Sequence, residues 1–258
     1  MIANKMKKEI LYGLVGYPLG HSFSQNLFRG FLQREGVKGD YINFELKDLS
    51  ELAEKVLSHS KLRGFNVTIP YKETIIPQLD YVSDRARIIG AVNVVRFESD
   101  GSLFGYNTDW YGFVETLKPL LCEKKGIKAL VLGTGGASKA VKYGLEFMGI
   151  EVQRVSRARN RGDIRYEDLT EDMVKTSQVI VNTTPLGMHP NVEDCPDIPY
   201  DGIGENHICY DLVYNPSETL FMRKSADHGA MVLNGLGMLY KQAELGKMLM
   251  DGIPSELG

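Results

Sequence analysis

Changes in the period of apolar and polar positions mark the elements of this chain. Ile10 to Gly16 is a short apolar run, charged before it and closed by Tyr17-Pro18 after it, which predicts a buried strand. From Ser24 to Glu35, Leu27, Phe28, Phe31 and Leu32 share one helical face. Gly36 and Gly39 interrupt that period, and Asp40 to Leu46 reads as a second strand. Leu49, Leu52, Ala53, Val56 and Leu57 keep helical spacing through Asp48 to Ser58. Leu62 to Ile69 predicts a strand ending at Pro70, Asp84 to Ile89 a helix, and Ala91 to Phe97 a strand. Asp100-Gly101 then predicts a hairpin turn into Ser102 to Asn107.

The second half opens with a helical pattern near Asp109 to Leu121. An apolar run from Ile127 leads into Gly133-Thr134-Gly135-Gly136, and helical spacing follows from Lys139 to Met148. Ile150 to Val155, Val179 to Asn182 and Ile208 to Leu212 read as strands, and Gly235 to Leu249 as a last helix. Pro, Asp and Asn around His189 to Tyr200 mark a surface loop. Strands alternate with helices on both sides of Asp109-Trp110, so the pattern predicts an α/β chain of two lobes.

Composition narrows the partners. A chain of 258 residues can bury one large core or two ordinary ones, and 43% apolar with 24% charged content is that of a globular protein. A net charge of −3 provides no global field for nucleic acid or anionic lipid. Cys122, Cys195 and Cys209 are odd in number, widely spaced and free of any C-x-x-C, which argues against disulfides or zinc and fits a reducing cytoplasm. The five histidines show no metal-ligand spacing, so no metal is expected. Lys5 to Lys8 before an apolar run superficially resembles a signal peptide, but the run breaks at Gly16-Tyr17-Pro18 and no A-x-A follows. No run has the length of a membrane span, and no membrane partner is expected.

The glycine turn carries the first candidate chemistry. Gly133 permits a tight turn after a strand, Gly135 lets a pyrophosphate approach the backbone, and the N–H groups of Gly136, Ala137 and Ser138 open a helix. The sixth fingerprint position is Ser138 rather than Gly, so a purely structural turn stays as the alternative. After the next strand, where an NAD site usually has an acidic residue, the chain has Ser156-Arg157-Ala158-Arg159-Asn160-Arg161. Guanidinium groups there suit the 2′-phosphate of NADP; the alternative is a solvated basic loop.

Polar clusters lie at the ends of the first-lobe strands. His21-Ser22-Phe23-Ser24 sets two hydroxyls two residues apart, suited to one carboxylate, although Ser24 reads first as a helix cap on spacing alone. Asn66 and Thr68 share one sheet face, and Lys72 follows Pro70 as either a proton donor or a surface lysine. Asn93 sits inside an apolar strand and needs partners, while Asn107, Thr108 and Asp109 are alternative caps for the following helix. Gln242 is polar on an otherwise apolar helical face.

Taken in order, H-S-x-S at His21, N-V-T-I-P-Y-K at Asn66, G-A-V-N at Gly90, Y-N-T-D-W at Tyr106, G-T-G-G-A at Gly133, N-T-T-P-L-G-M at Asn182 and M-L-x-x-Q-A at Met238 resemble the shikimate dehydrogenase family. The resemblance runs from His21 to Ala243. It implies reversible reduction of 3-dehydroshikimate to shikimate by NADPH, on the way to aromatic amino acids. It implies that Ser22 and Ser24 hold the substrate carboxylate with Tyr214 near it, and that Asn66, Thr68, Asn93 and Gln242 bind ring hydroxyls. Lys72 and Asp109 match the catalytic pair. A protonated Lys72 would stabilise a developing alkoxide and supply its proton, with Asp109 keeping it charged. Gly133, Gly135, Gly136, Ala137, Ser138, Ser156, Arg157, Arg161, Thr183, Leu212 and Gly235 form the implied cofactor set, with Thr183 to Met188 on the nicotinamide side. Where the family often has Asn-Arg-Thr, this chain has Ser156-Arg157-Ala158.

The expected architecture is an N-terminal substrate-binding α/β lobe of residues 1–110 joined by helix 234–258, and a Rossmann lobe of residues 111–233. A monomer or homodimer, with the active site in the cleft, is expected. One rival is a quinate/shikimate dehydrogenase using NAD, against which Arg157 argues; another is an NADP-binding sensor, against which the retained Lys72 and Asp109 argue.

Overall fold

Among the described residues, twelve strands form two six-stranded sheets, each within its own part of the chain. The computed structural model describes residues 9–20, 22–121, 126–158 and 161–253. Contacts divide the chain into Met1–Thr108 with Ala243–Gly258, and Asp109–Gln242.

In the first unit, β1 (Ile10–Gly16), β2 (Gly39–Glu45) and β3 (Leu62–Val67) run parallel, with β1 between the other two. Parallel neighbours need a crossover, and α1 (Ser24–Arg34) supplies the one between β1 and β2. Next come β4 (Tyr81–Val82), α2 (Asp84–Ile89), β5 (Val94–Phe97) and β6 (Leu103–Tyr106). The order is β2-β1-β3-β5-β6-β4, and β5 pairs antiparallel with both β3 and β6. Gly101, at φ 90°, makes the expected hairpin turn. The expected helix over Asp48–Ser58 is instead a 3₁₀ turn at Leu49–Glu51 and a π turn at Ala53–Leu57. Leu52 and Val56 are buried as the spacing requires; side-chain period does not distinguish the i+3, i+4 and i+5 hydrogen-bond patterns.

The second unit opens with α3 (Asp109–Leu117), which gives way to a 3₁₀ turn at Pro119 because proline lacks the N–H of a helix interior. Six parallel strands follow: β7 (Lys128–Leu132), β8 (Glu151–Ser156), β9 (Ile164–Arg165), β10 (Val179–Asn182), β11 (Ile208–Asp211) and β12 (Met231–Leu233). Between them lie α4 (Gly136–Phe147), α5 (Glu171–Lys175) and α6 (Leu220–Asp227). The order β9-β8-β7-β10-β11-β12 is the doubly wound order, with its switch point between β7 and β10. Successive residues point to opposite faces, so Ala129, Val131, Val179 and Val181 fill one core, while Leu130, Leu132 and Ile180 fill another. Burial on both faces explains why these strands read as unbroken apolar runs.

Helix α7 (Leu236–Met250) is the last of the described elements. The division falls inside it, at Ala243, rather than at the expected residue 234. Met238, on its first turn, belongs to the second unit's core, and the stretch from Ala243 belongs with the first unit. Among the described residues no helix is long and apolar enough to cross a membrane.

Candidate active site

The first unit gathers hydroxyl and amide groups at the ends of its strands. Ser22 and Ser24 follow β1, and the Ser24 amide donates to Ser22 Oγ at 3.3 Å. Ser24 does not cap α1: the N-cap is Phe23, without a side-chain bond. Tyr41 donates to Asn66 Oδ1 at 3.0 Å, and Asn66 Nδ2 donates to the Asn93 carbonyl at 3.3 Å. Asn93 holds the start of the next segment: Nδ2 donates to Thr108 Oγ1 at 3.0 Å, and Oδ1 accepts the Thr108 amide at 2.7 Å. The result is a chain of buried polar groups from Tyr41 to Thr108, linking four backbone segments. A side chain at Gly16 would overlap Thr68, which stands half-buried just past β3.

Lys72 lies in the turn after β3, and its carbonyl accepts the Val92 amide at 2.7 Å. That bond fixes the Lys72 turn beside the Gly90–Asn93 loop, which starts where Gly90 ends α2 in the left-handed conformation at φ 71°. Asp109, buried, opens α3; it and Gln242 fall in the second unit by contacts, not with the serines and asparagines as expected. The half-buried Tyr214, on the segment after β11, falls in that unit as well. Gln242 Nε2 donates to the Leu239 carbonyl of its own helix at 3.0 Å.

The second unit carries the dinucleotide features at its switch point. Gly133, at φ 112°, donates to the Val155 carbonyl, and a Cβ there would stand 2.7 Å from Thr183 Oγ1. Ser138 Oγ donates to the Gly133 carbonyl and Thr183 Oγ1 to the Leu132 carbonyl, each at 2.7 Å. The ends of β7 and β10 are thus tied together. Gly135 is the N-cap of α4 without a side-chain bond, so the first N–H groups, at Gly136 and Ala137, have no capping side chain. Among the described residues, no atom beyond the adjoining chain lies within 4 Å of a Cβ placed on Gly135. The chain itself does not demand glycine there, and the bare backbone leaves room for a ligand to approach. A pyrophosphate therefore fits this cradle. At the end of β8, buried Ser156 accepts the Ala158 amide at 3.1 Å, and Arg157 and Arg161 are exposed on the turn that follows. Burial pushes the Tyr166 phenol up to about 12, with the Arg157 charge acting the other way. Two exposed guanidiniums beside the second strand fit a 2′-phosphate.

Leu212 and Gly235 come together: a side chain on Gly235 would overlap the Leu212 carbonyl. Behind them lies a network that the sequence reading missed. Asp211 Oδ1 accepts from Asn182 Nδ2 at 3.0 Å and the Val213 amide at 2.9 Å, and Oδ2 from Thr219 Oγ1 at 2.6 Å. Asn182 Oδ1 in turn accepts from Thr184. Burial pushes Asp211 up to about 6, against the three hydrogen bonds. Tyr41 was missed as well; a lone tyrosine in a strand reads as core, and only its strand partners reveal its role. His21, Arg159, Asn160 and Cys122, which the sequence singled out, lie outside the described residues.

The family model for the shikimate dehydrogenase substrate binding domain matches residues 14–95. A shikimate dehydrogenase (NADP(+)) of Caldanaerobacter subterraneus subsp. tengcongensis is 37% identical, covering 94% of this chain and 91% of its own. The crystal structure of shikimate dehydrogenase from Aquifex aeolicus superposes with a TM-score of 0.85 at 38% identity, covering 96% of this chain and 95% of its own. The Thermus thermophilus shikimate 5-dehydrogenase in complex with NADP(H) and shikimate gives 0.82 at 32%, covering 96% and 95%. With identity above 30% along nearly its whole length, the chain belongs to the shikimate dehydrogenase family.

Proposed function

We propose that this chain is an NADP-dependent shikimate dehydrogenase, which reversibly reduces 3-dehydroshikimate to shikimate in the cytoplasm. The observation that carries this reading is the chain of buried polar groups from Tyr41 to Thr108, whose hydroxyl and amide groups suit a polyhydroxylated acid, on the unit matched by the substrate-binding model. Ser22 and Ser24 would hold its carboxylate, and Asn66, Thr68, Asn93 and Gln242 its ring oxygens, with Tyr214 near the carboxylate. Arg157 and Arg161, where an acidic residue would favour NAD, support NADP over NAD.

In the cofactor site, the backbone from Gly133 to Ser138 would hold the pyrophosphate and Arg157 and Arg161 the 2′-phosphate, while Thr183, Leu212 and Gly235 would line the nicotinamide side. The bound cofactor supplies or receives the hydride. The chain's own residues handle charge and proton. As the carbonyl carbon is reduced, its oxygen develops negative charge; the Lys72 ammonium stabilises that oxygen and gives it a proton. Asp109 is the second proposed catalytic group.

The test is Lys72→Ala, assayed as shikimate-dependent NADP reduction. Because the alkoxide exists chiefly in the transition state, turnover is expected to fall by roughly two orders of magnitude or more, with NADP affinity unchanged. Near-normal turnover in the folded variant would remove Lys72 from the mechanism.

A further inference from the structure

Asp211 and Asn182 end the neighbouring strands β11 and β10, and both are fully buried. Each is followed directly by a residue proposed to line the nicotinamide side, Leu212 and Thr183. Both side chains are closed off from solvent, so they act on a cofactor through the backbone they hold. The direction of each bond follows from what the groups can do. The Thr184 amide only donates, so the Asn182 atom 3.0 Å from it is the oxygen. The Asn182 nitrogen then faces Asp211 Oδ1 at 3.0 Å and donates to it. The Thr184 hydroxyl donates to the same Asn182 oxygen at 2.6 Å and accepts the Leu186 amide at 3.3 Å. A relay thus runs from Asp211 through Asn182 to Thr184 and Leu186. Asp211 Oδ1 also accepts the Val213 amide at 2.9 Å, one residue past Leu212, whose carbonyl Gly235 approaches too closely for a side chain. Oδ2 accepts from Thr219, the cap of α6, at 2.6 Å. A charged acceptor makes each of these bonds stronger than a neutral one would.

We infer that Asp211 is a positioning residue of the cofactor site: it fixes from behind the two backbone segments proposed to line the nicotinamide, Thr183–Met188 through Asn182 and Leu212–Tyr214 through the Val213 amide. The inference rests on the NADP-site reading given under Proposed function. It assigns this carboxylate to the nicotinamide end alone. Its three donors lie outside the glycine turn and the Arg157 turn, so its removal spares the phosphate end.

The full chain tests this as wild type, Asp211→Ala, Asp211→Asn and Asn182→Ala. Three quantities are measured: kcat for shikimate-dependent NADP reduction, Kd for adenosine 2′,5′-bisphosphate, and amide hydrogen exchange without ligand. The bisphosphate carries the 2′-phosphate and lacks the nicotinamide, so it reports the phosphate end. In Asp211→Ala kcat is expected to fall about thirtyfold, since a small displacement of the reacting carbon is enough. The bisphosphate Kd is expected to stay within about twofold, because the guanidinium contacts are untouched. Exchange of the Thr184, Leu186 and Val213 amides is expected to speed up about tenfold or more, with Gly133–Ser138 unchanged. Asp211→Asn restores an acceptor, and its kcat is expected within about fivefold of wild type. Asn182→Ala is expected to loosen Thr184 and Leu186 but not Val213, and to lower kcat.

Wild-type kcat in folded Asp211→Ala overturns the inference. So does a bisphosphate Kd that weakens with kcat, or exchange raised throughout the sheet, since either marks a general loosening of the unit. Asp211→Asn as slow as Asp211→Ala overturns it too, because the restored acceptor would then not matter. Should Asp211→Ala not fold, Asn182→Ala, which leaves Asp211 two of its donors, decides: lowered kcat with unchanged bisphosphate binding supports the inference and unchanged kcat overturns it. A wild type without shikimate-dependent NADP reduction, or without bisphosphate binding, overturns the NADP-site reading and this inference with it. Variants that match an active wild type overturn only the role of Asp211.

Discussion

Asp211 ends β11 with a carboxylate that no water reaches, and its three donors decide what it does. Burial disfavours the charged form and outweighs those bonds, so its pKa rises to about 6 from an ordinary 3.8. Between those two values the folded chain binds more proton than the unfolded one. Stability from this group is therefore greatest in acid and falls as pH rises through about 6, a difference of roughly 3 kcal/mol. Asp211→Asn keeps an oxygen for Asn182 and Val213 and removes the charge. It is expected to flatten the fall in melting temperature between about pH 4 and pH 6. Asp211→Ala leaves two buried N–H donors without an acceptor and is expected to cost about 3 kcal/mol at neutral pH. An unchanged profile in Asp211→Asn would show that another group titrates in that window. Nothing in the sequence marks this residue, because an aspartate after a strand looks the same whether solvated or enclosed. Ser24 was ambiguous for a related reason: its spacing fits a helix cap, but Phe23 takes the N-cap position and no side-chain bond caps α1.

Elements were legible in proportion to their length and period. β1, α1, α4 and α7 stand within a few residues of the expected ranges because each carries a sustained apolar pattern. β4 and β9 have two residues each, too few for any period to show, and went unread. α5 and α6 were also unread, although Thr170 and Thr219 cap them by accepting the Met173 and Met222 amides, a signal present in the sequence. Charge as well as apolar burial holds α7. Lys247 is buried and reaches Glu35 Oε2 at 2.6 Å and Asp251 Oδ2 at 2.8 Å, while Tyr12 donates to Asp251 and Arg63 lies 3.3 Å from it. Burial acts to lower the Lys247 pKa, but the two carboxylates outweigh it and hold it above the ordinary lysine value. Lys247→Ala leaves Asp251 with Arg63 as the remaining one of its two charge partners. Glu35 is half exposed and screened, so the expected cost is about 2 kcal/mol rather than that of a fully buried pair. It would be read as a lower urea midpoint with an unchanged m-value. An unmoved midpoint would mean that apolar contacts alone hold the end of the helix.

At the scale of the molecule, two lobes were legible from alternating strands and helices, but strand order was not. Pairing β10 beside β7 depends on contacts that no local pattern encodes, and that pairing creates the switch point beside Gly133. Residues 109–242 are contiguous and hold a complete six-stranded sheet with a core on each face, whereas the first unit needs both ends of the chain. The contiguous unit also holds the glycine turn, Ser156, Arg157 and Arg161. A fragment of residues 109–242 is therefore expected to fold alone and to bind NADP more tightly than NAD, as measured by calorimetry. The preference has a stated source: only NADP carries the 2′-phosphate that a guanidinium can grip. In the full chain, Arg157→Ala with Arg161→Ala is expected to lower NADP affinity about tenfold or more and leave NAD affinity unchanged. The same double change in the fragment is expected to have the same effect. Each arginine is exposed and can cover for the other, so the single variants are expected to show less. An NADP-to-NAD ratio unmoved by the double change would make this turn a solvated basic loop and move the source of preference to Ser156 or to backbone donors. A folded fragment that binds neither cofactor would show instead that residues outside 109–242 complete the site.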